Sequence, residues 1–212
     1  MRWTVLISIV GTVFLLINVL LYFKSFAKES KAFKFFTIYL CSMLVIQIIM
    51  TYFVLVIKKQ NLFLSHFYFI SQFILLSLFY ERIIGKKYLR VILYSILFLL
   101  CIQYYLNPQL ISQYNSLGIG VTQSLLILYS ILYLAKSLKI DKIDFLIINV
   151  GLLIYLIVSV LVFVAGNLSL DLNIPKKLYR ILIYINLIFY IIFQTLIFIE
   201  WRKNYYKKTL RS

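Results

Sequence analysis

Apolar residues in this chain neither alternate nor recur every three or four positions opposite a charged face. They run on in long blocks. Seven blocks of 19 to 23 residues cover 3–23, 35–57, 62–80, 88–106, 116–135, 145–165 and 178–199. A bilayer core about 30 Å thick takes roughly 20 helical residues at 1.5 Å each. None of the seven blocks contains an acidic residue. Breakers stand between them: Asn107-Pro108, Gly166-Asn167 and Asn173-Ile174-Pro175. The connections are four to twelve residues long, which leaves no room for a soluble domain. A membrane barrel would show apolar-polar alternation over strands of about 10 residues. These runs are continuous and twice that length, so the pattern predicts an all-α bundle of seven transmembrane helices. The first block is too long for a signal peptide and no small-x-small site follows it, so it is read as a retained helix.

Composition narrows the class further. The chain is 64% hydrophobic and 13% charged, with a mean hydropathy of +0.99. A soluble domain is about half apolar and about a quarter charged. Cys41 and Cys101 lie inside apolar blocks, with no CxxC or Cys/His cluster to suggest a disulfide framework or a zinc site. The abundance of Ile, Leu, Lys, Phe, Tyr and Asn is that of an AT-rich bacterial genome, so a bacterial inner membrane is expected.

The net charge of +16 would point to nucleic acid in a soluble protein. Here its distribution gives a different reading. Lys24, Lys28, Lys31, Lys34, Arg82, Lys86, Lys87, Arg90, Lys136, Lys139, Lys142, Arg202, Lys203, Lys207, Lys208 and Arg211 fall on one side of the predicted topology. The other side has only Arg2, Lys58, Lys59, Lys176, Lys177 and Arg180. Basic loops stay cytoplasmic, so the N-terminus is expected outside and the C-terminus in the cytoplasm. The excess charge then serves orientation and attraction to anionic head groups, the tail Arg202–Arg211 above all. Nucleic acid is not an expected partner, since no segment is left to bind it.

Polar residues within the blocks are the candidates for function, because a polar group in hydrocarbon is costly. Thr4, Ser8, Gly11, Asn18 and Tyr22 form one stripe on the first helix, the kind that packs against a neighbour. Gln47, Gln72, Asn186 and Tyr190 fall near the midplane, and His66, Gln103 and Gln123 in the outer half. One reading is a polar cavity open to the outside, with His66 expected at its mouth and Gln47, Asn186 and Tyr190 towards its floor. The competing reading is a set of interhelical hydrogen bonds, worth roughly 0.6–2 kcal/mol each. His66 is the only histidine.

Several chemistries lack their residues. The acids Glu29, Glu81, Asp141, Asp144, Asp171 and Glu200 all sit at predicted interfaces, so no embedded carboxylate serves a proton pump. No metal or aspartyl constellation and no P-loop occur, and a serine nucleophile would have only His66 as base. The topology resembles that of microbial rhodopsins and G-protein-coupled receptors. A retinal pigment needs a lysine in the seventh span and carboxylates in the third, and both are missing. The receptor-like cues reduce to Tyr80-Glu81-Arg82 and to Asn186–Tyr190 without its proline, and Glu81 with Arg82 is read as a cytoplasmic interfacial ion pair. The expectation is a non-enzymatic membrane component without cofactor, a sensor or an accessory subunit of a larger membrane assembly. The alternative is a small transporter or channel for a neutral or amphipathic solute.

Overall fold

The computed structural model describes residues 2–58, 62–113, 115–139, 144–171 and 176–206, with the side chains of 163–179 left out. Lys59, Asp141, Lys142, Asn173, Ile174, Pro175, Lys207, Lys208 and Arg211 lie outside the described residues. Among the described residues seven α-helices follow one another: α1 Arg2–Ser25, α2 Lys31–Tyr52, α3 Leu62–Tyr80, α4 Tyr88–Leu106, α5 Ser116–Ser137, α6 Leu146–Asp171 and α7 Lys176–Asn204. No strand occurs among the described residues. One-turn π-helices extend α2 over Phe53–Ile57 and α3 over Glu81–Gly85, and a 3₁₀ turn at Pro108–Ser112 follows α4.

Local chemistry sets the ends. Ser30 caps α2 by accepting from the Phe33 N–H at 3.3 Å, which starts the helix earlier than its apolar block does. Asn115 caps α5 by accepting from Gly118 N–H at 2.8 Å. Pro108 cannot continue α4, because it lacks the N–H that the helix ladder needs. The turn after α3 closes on Gly85 at φ +79°, a conformation that glycine adopts without a Cβ clash.

Among the described residues six stretches are long and apolar enough to cross a membrane: Trp3–Ser25, Lys31–Ile57, Leu62–Gly85, Tyr88–Leu106, Ser116–Ser137 and Arg180–Asn204. In α6 the apolar stretch with described side chains, Leu146–Val162, is shorter. The exterior supports a lipid setting: Phe67 is 62% exposed, Phe98 67% and Trp3 69%. Such an apolar outer surface is expected of a multi-pass membrane protein.

Six helices close a ring. α1 packs on α2 and α7, α2 on α3, α3 on α5, α5 on α6 and α6 on α7. α4 stands outside this ring, packed on α3 and on the 3₁₀ turn that follows it. The polar stripe of α1 faces α7. Asn18 Nδ2 donates to the Gln194 carbonyl at 2.8 Å and to its Oε1 at 2.9 Å, and Tyr22 donates to the Ile197 carbonyl at 3.2 Å. Gly11 lets the Tyr190 ring approach to 3.0 Å from where a Cβ would stand. Gly151 does the same between α6 and α7, where a Cβ would stand 2.8 Å from Leu196. Small residues bring helices close where no hydrophobic effect drives them together.

The two ends of the ring differ. One end carries Lys24, Lys28, Lys31, Arg82, Lys86, Lys87, Lys136, Lys139, Arg202 and Lys203, and is called the basic end below. Its interior is an aromatic layer. Tyr22 stacks on Phe33 at 5.0 Å between centroids, Phe33 meets Tyr205 at 4.8 Å, and Phe79 meets Phe36 at 5.4 Å and Phe145 at 5.3 Å. Burial, with the nearby carboxylates of Asp144 and Glu200, raises the Tyr205 hydroxyl well above its ordinary range and keeps it neutral. Glu200 is 1% exposed and caps the start of α6. Its carboxylate accepts from the Phe145 N–H at 2.9 Å, the Ile147 N–H at 3.2 Å and the Asn204 amide.

Candidate functional site

At the end of the ring opposite the basic residues, a cavity of about 370 Å³ opens. All six ring helices line it. Ser8 comes from α1, Gln47 and Thr51 from α2, Ser65 and Tyr68 from α3, Ile119 from α5, Tyr155 from α6, and Asn186 and Tyr190 from α7. The antiparallel order of the ring explains this. The starts of α1, α3, α5 and α7 and the ends of α2 and α6 meet at that end, so side chains far apart in sequence converge.

The walls carry hydroxyls, amides and aromatic rings, and none of the described lining residues is charged. Gln47 Nε2 donates to the Tyr190 hydroxyl at 2.9 Å, and the Thr12 hydroxyl donates to Gln47 Oε1 at 3.3 Å. The Tyr68 and Tyr155 hydroxyls meet at 3.0 Å, tying α3 to α6. The Tyr155 ring stacks on Phe193 at 5.6 Å and tilts against Tyr190 at 5.5 Å. Asn186 Oδ1 is screened from solvent and takes no hydrogen bond. A donor brought by a ligand in the cavity would pair with it.

Deeper in the ring the polar groups bond to one another. Gln123 Nε2 donates to Gln72 Oε1 at 2.7 Å, and Gln72 Nε2 donates to the Tyr39 hydroxyl at 3.4 Å. This chain crosses from α5 through α3 to α2. Gln72 is 0% and Gln123 1% exposed. The aromatic layer lies beyond it, towards the basic end.

The expected site residues therefore separate into groups. Gln47, Asn186 and Tyr190 come together in the cavity wall. Gln72 and Gln123 are joined as a buried amide pair. His66 and Gln103 are placed elsewhere: His66 is turned towards α4, and Gln103, on α4 itself, is turned towards Asn115 at the start of α5. His66 Nδ1 bonds the Tyr104 hydroxyl at 2.6 Å and Nε2 bonds the Gln113 carbonyl at 2.9 Å. Gln103 exchanges two amide bonds with Asn115, at 3.1 and 3.0 Å, and Asn115 also donates to Tyr104 at 3.2 Å. This cluster fastens α4 and its following turn to the ring. The expectation of His66 at the mouth is corrected: residues 65, 68 and 69 of the same helix line the cavity. The period of 3.6 residues turns position 66 to another face.

The pairing of Glu81 is also corrected. Its carboxylate takes a two-point bond from Arg90, Nη2 at 2.7 Å and Nε at 3.0 Å, and not from Arg82. Adjacent residues on a helical turn point away from each other, whereas Arg90 reaches across from the first turn of α4. Arg82 lines a different cleft.

Tyr39, Tyr68, Tyr104 and Asn115 were not singled out by the sequence. The chain holds 18 tyrosines, so tyrosine within an apolar block carries no signal of its own. No protein-family model, curated protein or solved structure matches this chain.

Proposed function

We propose that this is a seven-span bacterial inner-membrane protein, N-terminus outside, that holds a small neutral amphipathic solute in the six-helix cavity. In this reading it is a non-enzymatic sensor or an accessory subunit of a larger membrane assembly. The carrying observation is that every ring helix contributes to one cavity, so an occupant touches all six. Occupancy would therefore bias the packing of the whole ring, and a partner in the membrane would read that change.

The wall chemistry supports the solute class. Aromatic faces suit an apolar body, and Gln47, Asn186 and the hydroxyls suit an O–H or N–H group at one end. Uncharged amides and hydroxyls among the described lining residues suit a neutral solute better than an ion, whose desolvation they would compensate only in part. Transport of the same solute is the second reading. It requires a path past the buried amide pair of Gln72 and Gln123 and the aromatic layer.

The test uses the full chain in detergent with a series of n-alkanols and alkylphenols as probes. A bound probe at 100 times its Kd stabilises the fold by about 2.7 kcal/mol. The wild type is expected to melt higher with a member of the series. Asn186→Leu and Gln47→Leu are expected to lose that shift while folding normally. No shift with any probe, or an equal shift in both variants, defeats the cavity reading. Flux of the stabilising probe analogue by the protein alone in liposomes would favour the transport reading.

A further inference from the structure

A second cleft, of about 390 Å³, opens at the basic end, beyond the aromatic layer from the first cavity. It lies between the start of α2, the π-turn after α3, the end of α5 and the start of α6. Among the described residues, Lys31, Arg82 and Lys136 line it together with the carboxylate of Asp144. Orientation of the chain in the bilayer needs only that the loops be basic. It does not need three cations from separate elements to converge on one concavity.

One of them is held in place. Lys136 Nζ donates to the Ile83 carbonyl at 2.8 Å and the Ile84 carbonyl at 3.1 Å. That bridge fixes the ammonium on the π-turn that also carries Arg82. The floor is held too. The buried Tyr133 hydroxyl donates to the Asp144 carbonyl, and Phe145 beneath it is fixed by Glu200. Two lysines supply point charge, and the guanidinium supplies the planar fork that fits two phosphate oxygens.

We infer that this cleft binds a phosphate-bearing anion through Lys31, Arg82 and Lys136. The site lies at the level where the helices end, within reach of lipid head groups as well as of soluble phosphate compounds. Basic concavities between membrane helices recognise anionic head groups by this chemistry. The inference is independent of the solute reading, since the two sites share no residue.

Native mass spectrometry of the full chain in a neutral detergent tests it, with dioctanoyl phosphatidylglycerol as the probe and inorganic phosphate as competitor. The variant Lys31→Gln/Arg82→Gln/Lys136→Gln is compared with Lys28→Gln/Lys86→Gln/Lys87→Gln, which removes equal charge from the same end but outside the cleft. The cleft variant is expected to bind the lipid at least about tenfold more weakly than wild type, and the control less than about twofold. Loss of lipid binding on adding phosphate at its own saturating concentration assigns the site to a soluble phosphate, and persistence assigns it to lipid. Equal weakening in the two triple variants overturns the site in favour of diffuse surface attraction. Failure of the wild type to bind either probe also overturns it. Should the triple variant melt early, Lys31→Glu/Arg82→Glu leaves the Lys136 bridge intact, and undiminished binding in that variant refutes the proposal.

Discussion

Removing the Glu200 carboxylate should cost this fold more than any other single polar truncation proposed here. Glu200 sits 1% exposed at the end of α7 and accepts from two backbone N–H groups at the start of α6. Those donors belong to the helix terminus and have no intrahelical acceptor. Phe145 is held at φ +67°, a left-handed conformation costly for a residue with a Cβ. The bond to its N–H helps to hold that turn. Hydrogen bonds to a charged group are worth about 1.5–3 kcal/mol each, and water re-entry recovers part of that. Glu200→Ala is therefore expected to cost about 2–4 kcal/mol, which for 150–250 residues lowers the melting temperature by about 5–15 °C. Glu200→Gln keeps one acceptor oxygen but turns an NH₂ towards a backbone N–H. It should cost about half as much. Trp201 is the adjacent reporter, and Trp3→Phe leaves it the sole tryptophan of the two in the chain. Its fluorescence during thermal unfolding in detergent measures the loss, and amide exchange at Phe145 and Ile147 should accelerate with it. If Glu200→Ala melts within about 1 °C of its parent, or if Ala and Gln melt alike, the carboxylate is not holding the start of α6.

Further outcomes follow from the packing. Gly151→Ala places a methyl 2.8 Å from Leu196 and 3.2 Å from Phe193, and should destabilise by about 1–3 kcal/mol in the same melt. Gly120→Ala meets nothing within 4 Å and should be neutral or stabilising by up to about 1 kcal/mol. His66→Leu should loosen α4 and speed exchange across the Pro108–Ser112 turn, while His66→Gln should retain much of the clamp and both should leave alkanol binding unchanged. A loss of probe binding in both would return His66 to the site. A cysteine at Ser112, on a background lacking Cys41 and Cys101, should react with impermeant maleimide in whole cells, and one at Lys86 should not; the reverse pattern inverts the proposed orientation.

The sequence alone determined the helical class and roughly which stretches are helical, while caps such as Ser30 moved the ends by several residues. Backbone groups in hydrocarbon must bond within their own segment, so a long apolar block has few structures open to it. It also marked Gln47, Asn186 and Tyr190 as residues that would meet at one depth, because rise per residue converts position into depth. Depth is one coordinate of three. Azimuth and neighbour order were decided by the tertiary structure. Residue 66 shares a depth with the cavity but points to α4, and Glu81 finds Arg90 nine positions on instead of its neighbour Arg82. Which helices closed the ring and which stood outside was equally hidden, since all seven blocks are apolar all round and none presents a charged face to orient it. Contacts among such helices are chosen by close packing at Gly11 and Gly151 and by pairs such as Asn18 with Gln194. Those choices depend on shape matched between segments up to 176 residues apart, which no local pattern encodes.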